Sequence, residues 1–161
     1  MIKYIISLAI LLISLRLSKC YVDSLKVKLD LSCELFELVS FLEGRMRISL
    51  APSCVLIKDY NSKMLTECGF LNAVKRGDSL KAAFGAYVKQ DALDTNIYQT
   101  LKALFDKLGE GDLALENGKI SACRAELEKR LCDLKEDFKK QKTVITTLAL
   151  GFSLGFIILL L

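Results

Sequence analysis

The sequence predicts an all-α protein: a cytosolic helical bundle of about five or six helices, flanked by an N-terminal and a C-terminal transmembrane helix. Three observations carry that expectation. Apolar residues recur at three-and-four spacing through most of the 161 residues. Strand signals are scarce, with one proline, no alternating β-branched run and no hairpin turn. Two uncharged apolar runs, 4–15 and 143–161, lie outside the mixed-charge middle. The expected division is 1–19 as an N-terminal transmembrane segment, 20–142 as a cytosolic helical domain, and 143–161 as a C-terminal transmembrane helix.

Segment 143–161 reads TVITTLALGFSLGFIILLL. As a helix it extends roughly 28 Å, close to the ~30 Å hydrocarbon core of a bilayer. It follows Lys139, Lys140 and Lys142 with no Pro or Gly between, so a charged helix is expected to continue into it without a hinge. Segment 4–15 is shorter, and three readings compete for it. It is an uncleaved span reaching about Leu17, a cleaved secretory signal, or the core before a lipoprotein box at Leu17-Ser18-Lys19-Cys20. The RLSKC sequence carries no A-x-A-like cleavage site, and Lys19 replaces the small residue a lipoprotein box wants before its cysteine. The first reading is therefore preferred. Arg16, Lys19, Lys26 and Lys28 follow the first run, whereas only Lys3 and the α-amine precede it. Lys135, Lys139, Lys140 and Lys142 precede the last run. Both asymmetries place 20–142 in the cytoplasm by the positive-inside rule. Arg16, Lys19, Lys139, Lys140 and Lys142 then form a basic collar that snorkels to the headgroups.

In the middle, Leu25, Leu29, Leu35, Phe36, Val39 and Leu42, widened by Leu38 and Phe41, predict a helix over about 22–47 capped by Asp23 or Ser24. Pro52 is placed to head a second helix to about Thr66, ending near Gly69. Arg76-Gly77-Asp78-Ser79 marks a stop and a new start, with Asp78 capping 80–88. Asp94-Thr95 opens a helix carrying Ile97, Leu101, Leu104, Phe105 and Leu108, with Gly109 after it as the left-handed stop. Asp112 can cap a final helix with the face Ile120, Cys123, Leu127, Leu131, Leu134 and Phe138. Asn117-Gly118 is its weak point, a kink or the true start, because an interior glycine costs about 1 kcal/mol against alanine.

Composition narrows function. Formal net charge is +4, yet both signs are mixed through the middle, without the basic face that nucleic acid binding needs. No histidine is present, which removes the commonest general base and metal ligand. The six cysteines (Cys20, Cys33, Cys54, Cys68, Cys123, Cys132) show no C-x-x-C spacing and read as reduced thiols packed as small apolar residues. P-loop, dinucleotide and nucleophile-elbow motifs are missing. Neither catalysis, a cofactor nor a metal site is expected. Gly151, Ser153 and Gly155 form a G-x-x-x-G pattern in the last run, a groove where another helix can approach, from the first span or a second copy. Leu108-Gly109-Glu110-Gly111-Asp112 is a helix stop followed by a new cap.

The order of these features resembles the stage III sporulation protein AB family of endospore-forming bacteria. The resemblance rests on the N-terminal run, Pro52, the turn Leu108, Gly109 and Asp112, and the glycine-containing last run. It is best over 101–161. Departures include Glu116 where the family often has glutamine, and Gly118 within the helix. The resemblance implies a non-enzymatic platform subunit of the mother cell–forespore channel, in the mother-cell-derived membrane around the forespore. It also implies a soluble domain like that of the F-type platform protein of type II secretion. The implied partners are other stage III sporulation proteins and a cytosolic secretion-type ATPase, with a homo-oligomer as a further expectation. The alternative is a membrane-tethered helical adaptor unrelated to sporulation.

Overall fold

A computed structural model describes residues 2–49, 53–108 and 113–160, except the side chains of 2–8, 10, 54, 113, 157, 159 and 160. Among the described residues there are helices and turns and no strand. Pro52, Gly109, Glu110, Gly111 and Asp112, on which several expectations rest, lie outside them. Two compact units divide the chain. Residues 1–27 and 134–161 make one, and Lys28–Asp133 make the other.

Helix α1 is Ile2–Ile48 and α7 is Leu113–Leu160, and each contributes to both units. The expected helix start at Asp23 or Ser24 is corrected: α1 passes straight through. Ser24 Oγ instead donates back to the Tyr21 carbonyl at 2.8 Å. A capping residue stops a helix only when the preceding backbone leaves helical dihedrals, and no Gly or Pro lies between residues 2 and 43 to make it do so. In α7, likewise, Gly118 is neither the start nor a break but an interior residue.

Between the long helices, the helix expected from Pro52 to Thr66 is also corrected. The chain forms α2 (Ser53–Leu56), a 3₁₀ turn (Ile57–Asp59), a short extended stretch, and α3 (Lys63–Glu67). Asp59-Tyr60-Asn61-Ser62 supplies the break. Ser62 adopts extended dihedrals and its Oγ accepts from Leu65 N–H at 3.2 Å, capping α3. The same hydroxyl donates to Glu34 on α1 at 2.5 Å, and the Tyr60 ring lies 5.1 Å from that of Phe41. Two tertiary anchors thus favour a cap where local propensity would have carried the helix on.

Next, α4 (Phe70–Arg76) and α5 (Leu80–Tyr87) follow the left-handed residues Gly69 and Gly77. The α5 cap is Ser79, which accepts from Ala82 N–H at 3.2 Å, not the expected Asp78. A 3₁₀ turn (Gln90–Ala92) leads to α6 (Thr95–Lys107). Here the predicted cap holds: Asp94 Oδ1 accepts from Asn96 N–H at 2.9 Å and Ile97 N–H at 3.3 Å.

The Lys28–Asp133 unit has a dense core. Leu35, Leu38, Val39 and Leu42 of α1 are fully covered, as are Ile97 and Leu101 of α6 and Ile120 and Leu127 of α7. Phe70, Phe84 and Phe105 form its aromatic centre, with the Phe84 ring 5.1 Å from Phe105 and 5.2 Å from Tyr98. Each such side chain contributes about 1.5–3 kcal/mol of burial. In the other unit, Leu134 and Phe138 of α7 are half-buried. No helix among the described residues is long and apolar enough to cross a membrane. Both terminal runs, however, extend into side chains that lie outside the description.

Candidate functional site

The cluster within the Lys28–Asp133 unit with the most concentrated chemistry was not singled out by its sequence. Glu43 is 5% exposed on the buried face of α1, in register with Val39, Leu42 and Met46. Ser121 Oγ donates to its Oε1 at 2.5 Å, Arg47 Nη2 to Oε1 at 2.8 Å and Arg124 Nη1 to Oε2 at 3.2 Å. The Ser121 hydrogen bond, then Arg124 and Arg47, hold the Glu43 carboxyl below the usual carboxylate range against the opposing effect of burial. The group is therefore ionised at neutral pH with both oxygens engaged. It clamps α1 to α7 and is a poor general acid or base. Its sequence signal was position: a carboxylate on the apolar stripe one residue after Leu42.

Cysteine chemistry follows burial. Cys20, Cys68, Cys123 and Cys132 are free thiols. Cys123 is 8% exposed, and burial followed by the nearby Glu126 charge pushes its thiol up to about 12. It stays protonated and packs as a small apolar side chain. Among the described residues no cluster of three or more His, Cys, Asp or Glu could hold a metal ion.

Two openings flank α6. Between α5 and α6 a cavity of about 290 Å³ is lined by Phe84, Tyr98 and Phe105, with Lys81 paired to Asp106 at 3.4 Å beside it. Between α6 and α7 lies a groove of about 440 Å³, with Thr100, Ala103 and Leu104 on one bank and Ala122 and Cys123 on the other. Lys107 and Lys119 line it too, as do Gln99 and Glu126.

In the 1–27 and 134–161 unit, the G-x-x-x-G residues separate onto opposite faces. Gly151 and Gly155 are exposed, and a Cβ at either would meet nothing within 4 Å. With Thr147, Leu148, Phe152 and Phe156 they line an open apolar groove of about 640 Å³. Ser153 is 1% exposed and donates back to the Ala149 carbonyl at 2.5 Å. Arg16, Lys19, Lys139, Lys140 and Lys142 of the collar are all exposed, and Lys140 pairs with Glu136 at 2.8 Å. Of the turn motif, Leu108 is the C-cap of α6, its N–H donating to the Leu104 carbonyl at 3.1 Å. Gly109 and Asp112 lie outside the described residues.

Residues 3–161 match the family model described as stage III sporulation protein AB. No curated protein and no solved structure matches the chain.

Proposed function

The chain belongs to the stage III sporulation protein AB family, and from that premise we propose that it is a non-enzymatic membrane platform subunit of the mother cell–forespore channel. The family carries the stage III sporulation role; the platform role is our reading. The uncharged run 143–161, set directly behind Lys139, Lys140 and Lys142, is the observation that carries it. In this reading runs 4–15 and 143–161 span the membrane surrounding the forespore, and the collar lysines and Arg16 meet its headgroups on the mother-cell side. The helical domain then lies in the mother-cell cytosol, where it receives other stage III proteins and a secretion-type ATPase.

The distribution of chemistry supports a binding role over a catalytic one. The chain has no histidine, and the buried carboxylate of Glu43, one of two buried glutamates among the described residues, is engaged by three donors. The exposure of Gly151 and Gly155, on the face opposite the buried Ser153, supports packing of the last span against another helix, from another channel subunit or a second copy. Deletion of the gene followed by microscopy tests the reading. Arrest just after engulfment, restored by the intact chain, is the expected result. Sporulation at the normal frequency would overturn it.

A further inference from the structure

The groove between α6 and α7 has a shape and a charge that its own fold does not use. Ala103 and Ala122 stand exposed on facing banks, so little side-chain bulk keeps another backbone away. Thr100 and Cys123 complete a mostly apolar lining. Most of the apolar face of α6 is satisfied elsewhere, since Ile97, Leu101 and Phe105 pack into the core, while Leu104, also buried, borders the groove floor. Lys107, the last residue of α6, and Lys119, in the second turn of α7, both border the opening, and neither makes a salt bridge among the described residues. The acidic residue of the groove, Glu126, is partnered by Arg130 at 3.7 Å. The groove therefore carries a net positive charge, two lysines against one glutamate, beside a mostly apolar floor.

We propose that this groove docks an acidic amphipathic helix of a partner protein, apolar residues seated between Ala103 and Ala122 and carboxylates facing Lys107 and Lys119. Helix-in-groove recognition draws its affinity from anchors on one helical face and its orientation from flanking charge. A lipid surface is flat and leaves the concave floor unfilled. Two lysines fall short of the basic stripe that tracks a nucleic acid backbone. The proposal deepens the platform reading by naming the partner's surface chemistry, and it rests on the domain being a binding module. It needs neither membrane span.

The test uses the full chain in sporulating cells, with a photoreactive phenylalanine replacing Ala103 or Ala122 in separate strains. Lys63, on a side chain that is 90% exposed on α3, serves as the control position. Light should join positions 103 and 122, but not 63, to one segment of a partner whose sequence carries acidic residues at helical spacing beside apolar ones. Lys107→Glu combined with Lys119→Glu should cut the crosslink about tenfold or more. Exchanging the partner's acids for lysines should restore it in that double variant. Ala122→Arg, an exposed helical site that arginine suits, should block the crosslink with unchanged accumulation of the chain. Crosslinking to a second copy, to lipid, to a segment without acidic residues or to nothing would overturn the proposal, as would an undiminished crosslink in the lysine double variant. If the groove fails this test while the deletion strain still arrests after engulfment, only the groove assignment falls. If the crosslink forms and the deletion strain sporulates normally, the platform reading falls.

Discussion

Gly69 and Gly77 both hold left-handed backbone, φ +90° and +110°, at the start and the end of α4, but their surroundings differ. A Cβ at Gly77 meets nothing within 4 Å, whereas at Gly69 it would sit 2.7 Å from Cδ1 of Tyr87. Gly77→Ala should therefore cost only the backbone term, about 1–2 kcal/mol. Gly69→Ala should cost more, because the Tyr87 ring must move and its hydroxyl receives Arg76 Nη2 at 3.1 Å. Denaturant titration of the two variants compares them, and equal losses would show that Tyr87 gives way freely. Glu43 makes a prediction of a different kind. Its native pKa lies below the ordinary value of 4.5, so its stabilisation is complete above that value and is lost as pH falls through the native one. The thermal midpoint of the wild-type chain should drop as the pH falls below the ordinary carboxylate value of 4.5. Glu43→Gln should lower the midpoint at neutral pH and flatten that acid limb. An acid limb unchanged in the variant would assign the drop to other carboxylates.

Helices α6 and α7 were legible from spacing because their faces are read over many turns. Ile97, Leu101, Leu104 and Phe105, then Ile120, Cys123, Leu127 and Leu131, are buried as the three-and-four rhythm requires. The interruption inside α7 was misread, since Gly118 sits in continuous helix with nothing within 4 Å of its absent Cβ and no positive φ. Gly118→Ala should consequently raise unfolding stability by about 1 kcal/mol, measured by denaturant midpoint. A loss instead would reveal a close approach that alanine obstructs. At the junction of α4, α5 and α6, Phe84 is fully buried against Phe70, Tyr98 and Phe105. Phe84→Ala should cost about 3–5 kcal/mol, transfer and cavity together. The short elements between α1 and α4 were not legible. Their boundaries depend on Ser62 finding Glu34 and Tyr60 finding Phe41, which are contacts with a different helix.

For the molecule as a whole, the topology proposal is testable through its cysteines. Cys132 is exposed on α7, so a variant keeping that thiol alone should resist a membrane-impermeant maleimide in intact cells and react once they are permeabilised. Labelling of intact cells would place the domain outside. The sequence by itself determined the helical class, the Asp94 cap, the family and the charge asymmetry at the two terminal runs. Each of these resides in spacing, composition or residue order, and so needs no knowledge of which helix packs on which. Only the tertiary structure decided that Glu43 is clamped by Ser121 and Arg124, 78 and 81 residues away. It also turned Ser153 inward while leaving Gly151 and Gly155 open, and left a basic-edged groove beside α6. The physical reason is common to all three: a side chain's partners across a packed interface depend on the rotation of each helix about its axis, and that rotation is settled by the whole core at once.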